Sequence, residues 1–215
     1  MHNTVKNLIY IEELIKSKAN HDKLPTIIAV SKTFPIENIL PLIEHGHLHY
    51  GENKVQEAID KWSNIKFKTS IKLHLIGRLQ TNKVKFALKI FDYIHSLDSE
   101  KLAIKISEEQ LKQKKKPKIF IQVNIGNEDQ KSGINKERLD DFYRFCKNLN
   151  LDIIGTMCIP PNNGNTEKFF FEMSKVNQEL NFKELSMGMS GDYLEAIKNS
   201  ATYVRVGSKI FGSRT

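Results

Sequence analysis

The 215-residue sequence is poor in several signals that would assign a function at once. It has two cysteines, Cys146 and Cys158, far apart and in no paired spacing, so neither a metal ribbon nor a redox pair is encoded. They read as reduced and structural, which fits a cytoplasmic protein. No HExxH, P-loop or glycine-rich dinucleotide fingerprint occurs, so zinc, ATP and NAD readings have no motif to stand on. No apolar run approaches the roughly 18 residues that suggest a membrane span. The first residues, MHNTVKNLIYIEELIKSK, mix acids with apolar side chains, unlike a secretory signal. Val5, Leu8, Ile9, Leu14 and Ile15, with Ile11 a weaker fit, lie near helical spacing, so residues 1–20 read as an amphipathic helix packed on the domain. No Pro/Gly/Ser-rich linker divides the chain, and a single domain over 1–215 is expected.

What is present is ordinary globular composition with a basic excess: 40% apolar, 27% charged, net charge +8. Five lysines of the KQKKKPK run, Lys112 to Lys118, account for much of that excess; without them the charge would be +3. A lysine run closing a helix suits the helix dipole and reads as a solvated face. No aromatic–basic interleaving supports nucleic-acid binding, which stays a competing reading resting on that run alone.

The chain alternates between short apolar strands and helical stretches. Strands are expected near 27–31, 48–51, 71–76, 93–97, 119–123, 151–157, 183–187 and 202–207. Helices are expected near 36–46, 53–63, 79–90, 99–115, 135–149, 165–181 and 191–199. Eight strand–helix units predict an α/β fold, a (β/α)8 TIM barrel with an extra N-terminal helix. The segment Pro160–Asn165, PPNNGN, reads as the loop after the sixth strand. In such barrels the loops after the strands build the functional face, so chemistry-bearing residues just after strands are the candidates.

The stretch TIIAVSKTFP, Thr26 to Pro35, organises the rest. Its β-branched run suits a strand buried on both faces. Lys32 ends that strand, either with its ammonium already in water or as an amine in a partly dry site, activated to attack an aldehyde. Two turns follow the last two strands: SMGMSGD, Ser186 to Asp192, and VRVGSKIFGS, Val204 to Ser213. Ser190 with Gly191, and Gly207 with Ser208, sit where barrels often hold a phosphate. Arg205, in an apolar strand, reads either as half of an ion pair or as a cation facing a ring nitrogen or an anion. Asn53, in HYGENKVQEAIDKW, caps the next helix or points across the barrel mouth. His74, in HLIGRLQTNK, reads as a core or supporting histidine, with Gln80, Asn82 and Lys83 shaping the next helix start.

The stretches AVSKTFP, HYGENKVQEAIDKW, HLIGRLQTNK, QVNIGNEDQKSG, GTMCIPP, LSMGMSGDYLEAI and VRVGSKIFGSR together resemble the pyridoxal phosphate homeostasis proteins, relatives of the barrel domain of alanine racemase. They occur in that family's order from about residue 27 to 214. The resemblance implies pyridoxal 5′-phosphate (PLP) held as a Schiff base on Lys32. It implies a phosphate held by Ser190, Gly207 and Ser208, Arg205 facing the pyridine nitrogen, and Asn53 near the cofactor. Ser208 stands where many relatives have threonine, keeping the hydroxyl, and Arg78 is given no role.

An arginine beside the pyridine nitrogen disfavours its protonation and weakens the ring as an electron sink. Related racemases take a second acid/base group from an added β-domain, for which eight residues after Gly207 leave no room. The expectation is a carrier of the cofactor, without an efficient catalytic cycle, in intracellular PLP homeostasis. PLP-dependent apo-enzymes are its expected partners, neither nucleic acid nor membrane is, and the protein is expected to be monomeric. A weak amino-acid racemase or other PLP-dependent enzyme is the alternative.

Overall fold

The computed structural model describes residues 1–18, 24–66, 69–161 and 164–212. Eight parallel strands close into a barrel in sequence order. They are β1 (Thr26–Val30), β2 (His49–Glu52), β3 (Lys72–Leu75), β4 (Tyr93–Leu97), β5 (Lys118–Val123), β6 (Asp152–Cys158), β7 (Glu184–Met189) and β8 (Tyr203–Val206). Closure is made by β1 on β8, with Ile27 beside Val204 and Ile28 beside Arg205. The helices between strands are α2 (Ile36–Glu44), α3 (Val55–Lys66), α4 (Val84–Ile90), α5 (Glu100–Gln113), α6 (Leu139–Asn148), α7 (Thr166–Glu179) and α8 (Tyr193–Lys198). A short α9 (Ser208–Phe211) follows β8, and α1 (Asn3–Lys18) precedes the barrel. The expected (β/α)8 barrel with an N-terminal helix is therefore the fold.

Helix α1 buries Val5, Leu8, Ile11 and Ile15, one stripe at helical spacing, and packs on α2, α8 and α9. Ile11, the weaker member by pattern, is 1% exposed. Asn7 Nδ2 donates to the Ile210 carbonyl at 3.0 Å, fixing α1 to the chain's other end. Residues 19 and 20 of the expected helix, Asn162 and Asn163 of the loop after β6, and Ser213 and Arg214 lie outside the described residues.

Four helix starts differ from the sequence expectation by two residues or more, α8 among them, at Tyr193 instead of 191. α3 begins at Val55, not 53, because the chain bends at Asn53 after β2. The stretch from 79 is not helical at once: Gln80 is extended, and a 3₁₀ turn over Thr81–Lys83 leads into α4. A second 3₁₀ turn, Lys136–Arg138, precedes α6. Asn135 Oδ1 accepts from the Glu137 amide at 3.0 Å, so the asparagine cap tightens that first turn.

The main apolar core lies between the strands and the helices around them. The barrel interior is different. Barrels of this kind are usually filled by branched aliphatic side chains. Here Ile28, Tyr93, Phe120, Met157 and Tyr203 form a separate interior cluster. His49, His74 and His95 stand beside it, all with ring centroids 5.9–6.5 Å from Tyr203.

Candidate functional site

Strand β1 ends in a strained corner. The Ser31 amide donates to the Gly51 carbonyl at 3.0 Å, extending the ladder one residue beyond Val30. The chain then turns back, with the Phe34 amide donating to the Ser31 carbonyl at 3.2 Å. Lys32 and Thr33 are the two central residues of this turn, and Thr33 has φ +68°. A β-branched residue in the left-handed region costs roughly 1–3 kcal/mol and persists only where its surroundings enforce it. Two contacts enforce it here. The Thr33 amide donates to Glu57 Oε1 at 2.5 Å, and Phe34 stacks on Phe211 with centroids 5.0 Å apart. The half-buried Lys32 is thereby set on a fixed corner.

A buried polar network braces the same corner from below. Glu52 Oε1 accepts from Ser31 Oγ at 2.8 Å, Trp62 Nε1 at 3.0 Å and Lys61 Nζ at 3.0 Å. Lys61 Nζ also donates to the Ser31 carbonyl at 2.8 Å and to Glu57 Oε1 at 3.1 Å. Glu52 and Trp62 are fully buried. Removing one partner of such a buried pair costs about 3–5 kcal/mol, because it leaves an uncompensated charge. Nothing in the linear sequence singles out Glu52, Lys61 or Trp62. Their common signal, acid, base and indole ahead of and along α3, becomes visible only once β2 pairs with β1.

On the other side of β1 from β2, β8 and its neighbour β7 bring up two loops. Gly188, at φ +89°, turns the end of β7 where its pairing with β8 shifts register. A Cβ there would lie 2.5 Å from Ala196 Cβ, so only glycine allows this close approach to α8. The Met189 amide donates to Asp192 Oδ1 at 2.6 Å and closes the loop. Ser190 Oγ accepts from the Gly207 amide at 3.1 Å, which ties this loop to the one after β8. Ser208 opens α9.

Asn53 stands two residues ahead of α3, whose first turn is bonded instead to the Lys54 carbonyl by the Ala58 amide at 3.1 Å. It therefore does not occupy the cap position and lines the mouth. Gly77 allows this, since a Cβ there would come within 2.4 Å of the Asn53 carbonyl oxygen.

Arg205 forms the floor and is 4% exposed. Its Nη1 donates to Ser186 Oγ at 2.8 Å and its Nη2 to the Cys158 carbonyl at 2.9 Å. The guanidinium is thus held by a hydroxyl and a carbonyl, not by the carboxylate that an ion-pair reading requires. Burial lowers its proton affinity, and burial likewise pushes the neighbouring Cys158 thiol up to about 12.

From Ser186 a chain of histidines runs down the barrel axis. Ser186 Oγ lies 2.9 Å from His95 Nδ1, His95 Nε2 2.9 Å from His74 Nδ1, and His74 Nε2 2.9 Å from His49 Nδ1. Because Ser186 accepts from Arg205, its own proton goes to His95 Nδ1. Each imidazole then accepts on Nδ1 and donates from Nε2, so the direction of the whole chain follows from the arginine. Burial holds His74 and His95 well below the usual histidine range, which keeps both rings neutral as this pattern requires. His74 is the supporting histidine that the sequence suggested. His95 and His49 went unread, although alternation along β2 and β4 places a polar side chain inward in each.

Lys32, Asn53, Ser190, Arg205, Gly207 and Ser208 all line one cavity of about 530 Å³ at the C-terminal mouth. Ile76, Ile159 and Met189 supply apolar wall. The arrangement offers an amine from one side, serine hydroxyls in glycine-bearing turns and a buried cation beneath. It suits a flat carbonyl compound with an anionic group.

Comparison with known proteins agrees with this geometry. The profile of the family "Alanine racemase, N-terminal domain" matches residues 11–215. A pyridoxal phosphate homeostasis protein of Aquifex aeolicus is 35% identical over 214 residues, covering 95% of this chain and 93% of that protein. One from Vibrio cholerae is 37% identical, covering 87% and 85%. Among solved structures, PipY of Synechococcus elongatus superposes with TM-scores of 0.87 without PLP and 0.86 with PLP bound. PipY is 31% identical, and the match covers 98% and 97% of this chain and all of PipY. An alanine racemase of Clostridium difficile, 15% identical with a TM-score of 0.77 over 99% of this chain and 57% of that one, shares the fold. Among the described residues, no helix is long and apolar enough to cross a membrane.

Proposed function

This chain belongs to the pyridoxal phosphate homeostasis proteins, built on the alanine racemase N-terminal domain, and from that premise we propose that it carries PLP reversibly on Lys32 and buffers its supply. The observation that carries the proposal is convergence: residues scattered from 32 to 208 line one cavity, with the amine on an enforced corner. A volume of about 530 Å³ lies in the range of small-molecule sites, and its donors match an aldehyde, an anion and a ring nitrogen.

When bound, the cofactor supplies an aldehyde that condenses with a primary amine, releasing water. Lys32 is the amine. Ser190 and Ser208 would donate to the phosphate, with the backbone at Gly207 allowing it close approach. Arg205, aimed by its bonds to Ser186 and the Cys158 carbonyl, would stand by the pyridine nitrogen and discourage its protonation, since two cations would meet. Asn53 closes the mouth from the β2 side.

The same residues favour carrying over turnover. Of the described residues lining the cavity, Lys32 and Arg205 are the titratable ones, and an arginine does not trade protons near neutral pH. A racemase exchanges protons from two faces of its substrate; here one amine serves one face. The protein in this reading is a cytoplasmic monomer that passes the cofactor to PLP-dependent apo-enzymes.

Two measurements on one sample test this. Protein mixed with PLP should develop the visible absorbance band of a Schiff base, and added amino acids should exchange their Cα hydrogen in D₂O no faster than with free PLP. Absence of the band removes the site. Rapid Cα exchange makes the protein an enzyme.

A further inference from the structure

The far end of the barrel carries a second built hollow. Lys66 from the end of α3, Lys72 at the start of β3, Lys89 from α4, and Lys115, Lys116 and Lys118 from the approach to β5 line a cleft of about 390 Å³. Asp92 is the one acidic residue of that lining. We propose that this cleft binds a small, multiply charged anion with a ring or apolar portion, of the chemical class of a nucleoside polyphosphate. The proposal is independent of the cofactor site.

Charge is the first reason. Asp92 is already engaged, by Lys66 Nζ at 2.7 Å and by the Leu73 amide at 2.8 Å on the same oxygen. The other five lysines face one another across the hollow with no second carboxylate in its wall. A concave surface lined by one sign of charge focuses its field and concentrates counter-ions. His49, half-buried behind the cleft, feels that field: after burial, Lys72 is the next cause holding its proton affinity down, ahead of the opposing pull of Asp92.

Shape and order are the second reason. These lysines come from four separate parts of the sequence, so their convergence is made by the fold and not by the Lys112–Lys118 run. Besides Lys66 on Asp92, three of them are fastened. Lys115 Nζ donates to the Lys89 carbonyl at 2.9 Å, Lys116 Nζ to Asn150 Oδ1 at 2.8 Å, and Lys118 Nζ lies 5.6 Å from the centre of the Tyr93 ring. Buried Phe91, Tyr93 and Pro117 give the cleft an apolar wall beside its cations. A bounded hollow of this size suits a nucleotide-sized molecule better than a track for a nucleic-acid strand.

The test is calorimetric titration of the full chain with inorganic tripolyphosphate, with ATP and with a single-stranded oligonucleotide, repeated on the triple variant Lys72→Gln, Lys89→Gln, Lys115→Gln. ATP should bind several-fold more tightly than tripolyphosphate, through the apolar wall. Affinity should fall severalfold between about 50 and 200 mM salt, as screening of exposed charges requires. The triple variant should lose at least tenfold while its PLP loading is unchanged, which separates this site from Lys32. Three results would overturn the proposal: no binding of either anion at millimolar concentration, equal ATP affinity in the variant, or an oligonucleotide that outcompetes ATP.

Discussion

At the C-terminal mouth of the barrel a single lysine, Lys32, sits on a corner held by a left-handed threonine, a stacked pair of phenylalanines and a buried Glu52–Lys61–Trp62 network. At the N-terminal end six lysines line a cleft, five of them exposed and several fastened only to carbonyls or an amide oxygen. The first arrangement fixes one atom to a position, as a covalent reaction needs. The second fixes a field, in which each charge is replaceable by its neighbours. Between them runs the chain His49–His74–His95–Ser186–Arg205, so the two ends are joined by hydrogen bonds rather than by apolar packing alone.

That connection gives the largest expected effect. Burial pushes His47, beside β2, from 6.5 down to about 4, and it holds His74 and His95 well below the same starting value. The unfolded chain takes up these protons first, so the stability tied to neutral imidazoles is complete above about pH 6.5 and drains as pH falls toward 4. His47 alone accounts for about 3 kcal/mol by pH 4, with His74 and His95 adding in the same direction. Denaturant unfolding at pH 7, 6 and 5 should show a progressive fall in midpoint. A flat profile would mean that these histidines take up protons equally in the folded and unfolded states, so that burial does not hold the rings neutral.

A smaller effect separates the two ends. Ser190→Ala combined with Ser208→Ala should weaken PLP retention by about a hundredfold or more, since each hydroxyl bond to a charged acceptor is worth about 1.5–3 kcal/mol. Equilibrium dialysis against PLP would measure it. Retention equal to the unaltered protein would strip the phosphate role from these loops and leave the C-terminal mouth no better defined than the N-terminal one.

The sequence revealed the architecture because strands such as Ile27–Val30 and Ile119–Val123 are apolar enough to be buried on both faces, and glycine or proline punctuates the loops. Boundaries slipped where the chain does something local. Gln80 is extended ahead of a 3₁₀ turn, and Asn53 is drawn to the mouth instead of the helix. Five of the six cavity residues were legible as residues following strands, Arg205 as a cation within an apolar one, and all six through family resemblance. The network around Glu52 and the histidine chain were not, because both depend on register. His74 sits opposite Gly51 on one side and Tyr93 on the other, and nothing in a linear reading says so. The lysine run likewise read as a solvated face. Only the pairing of β3, β4 and β5 side by side brings Lys115, Lys116 and Lys118 to Lys66, Lys72 and Lys89.

The central claim is that one amine among 28 lysines takes the cofactor. Borohydride reduction of the PLP-loaded protein, followed by mass mapping of its peptides, tests it most directly. One reduced pyridoxyl group per chain, on the peptide containing Lys32, is the predicted result. Label on another lysine, or no retained label, would contradict it.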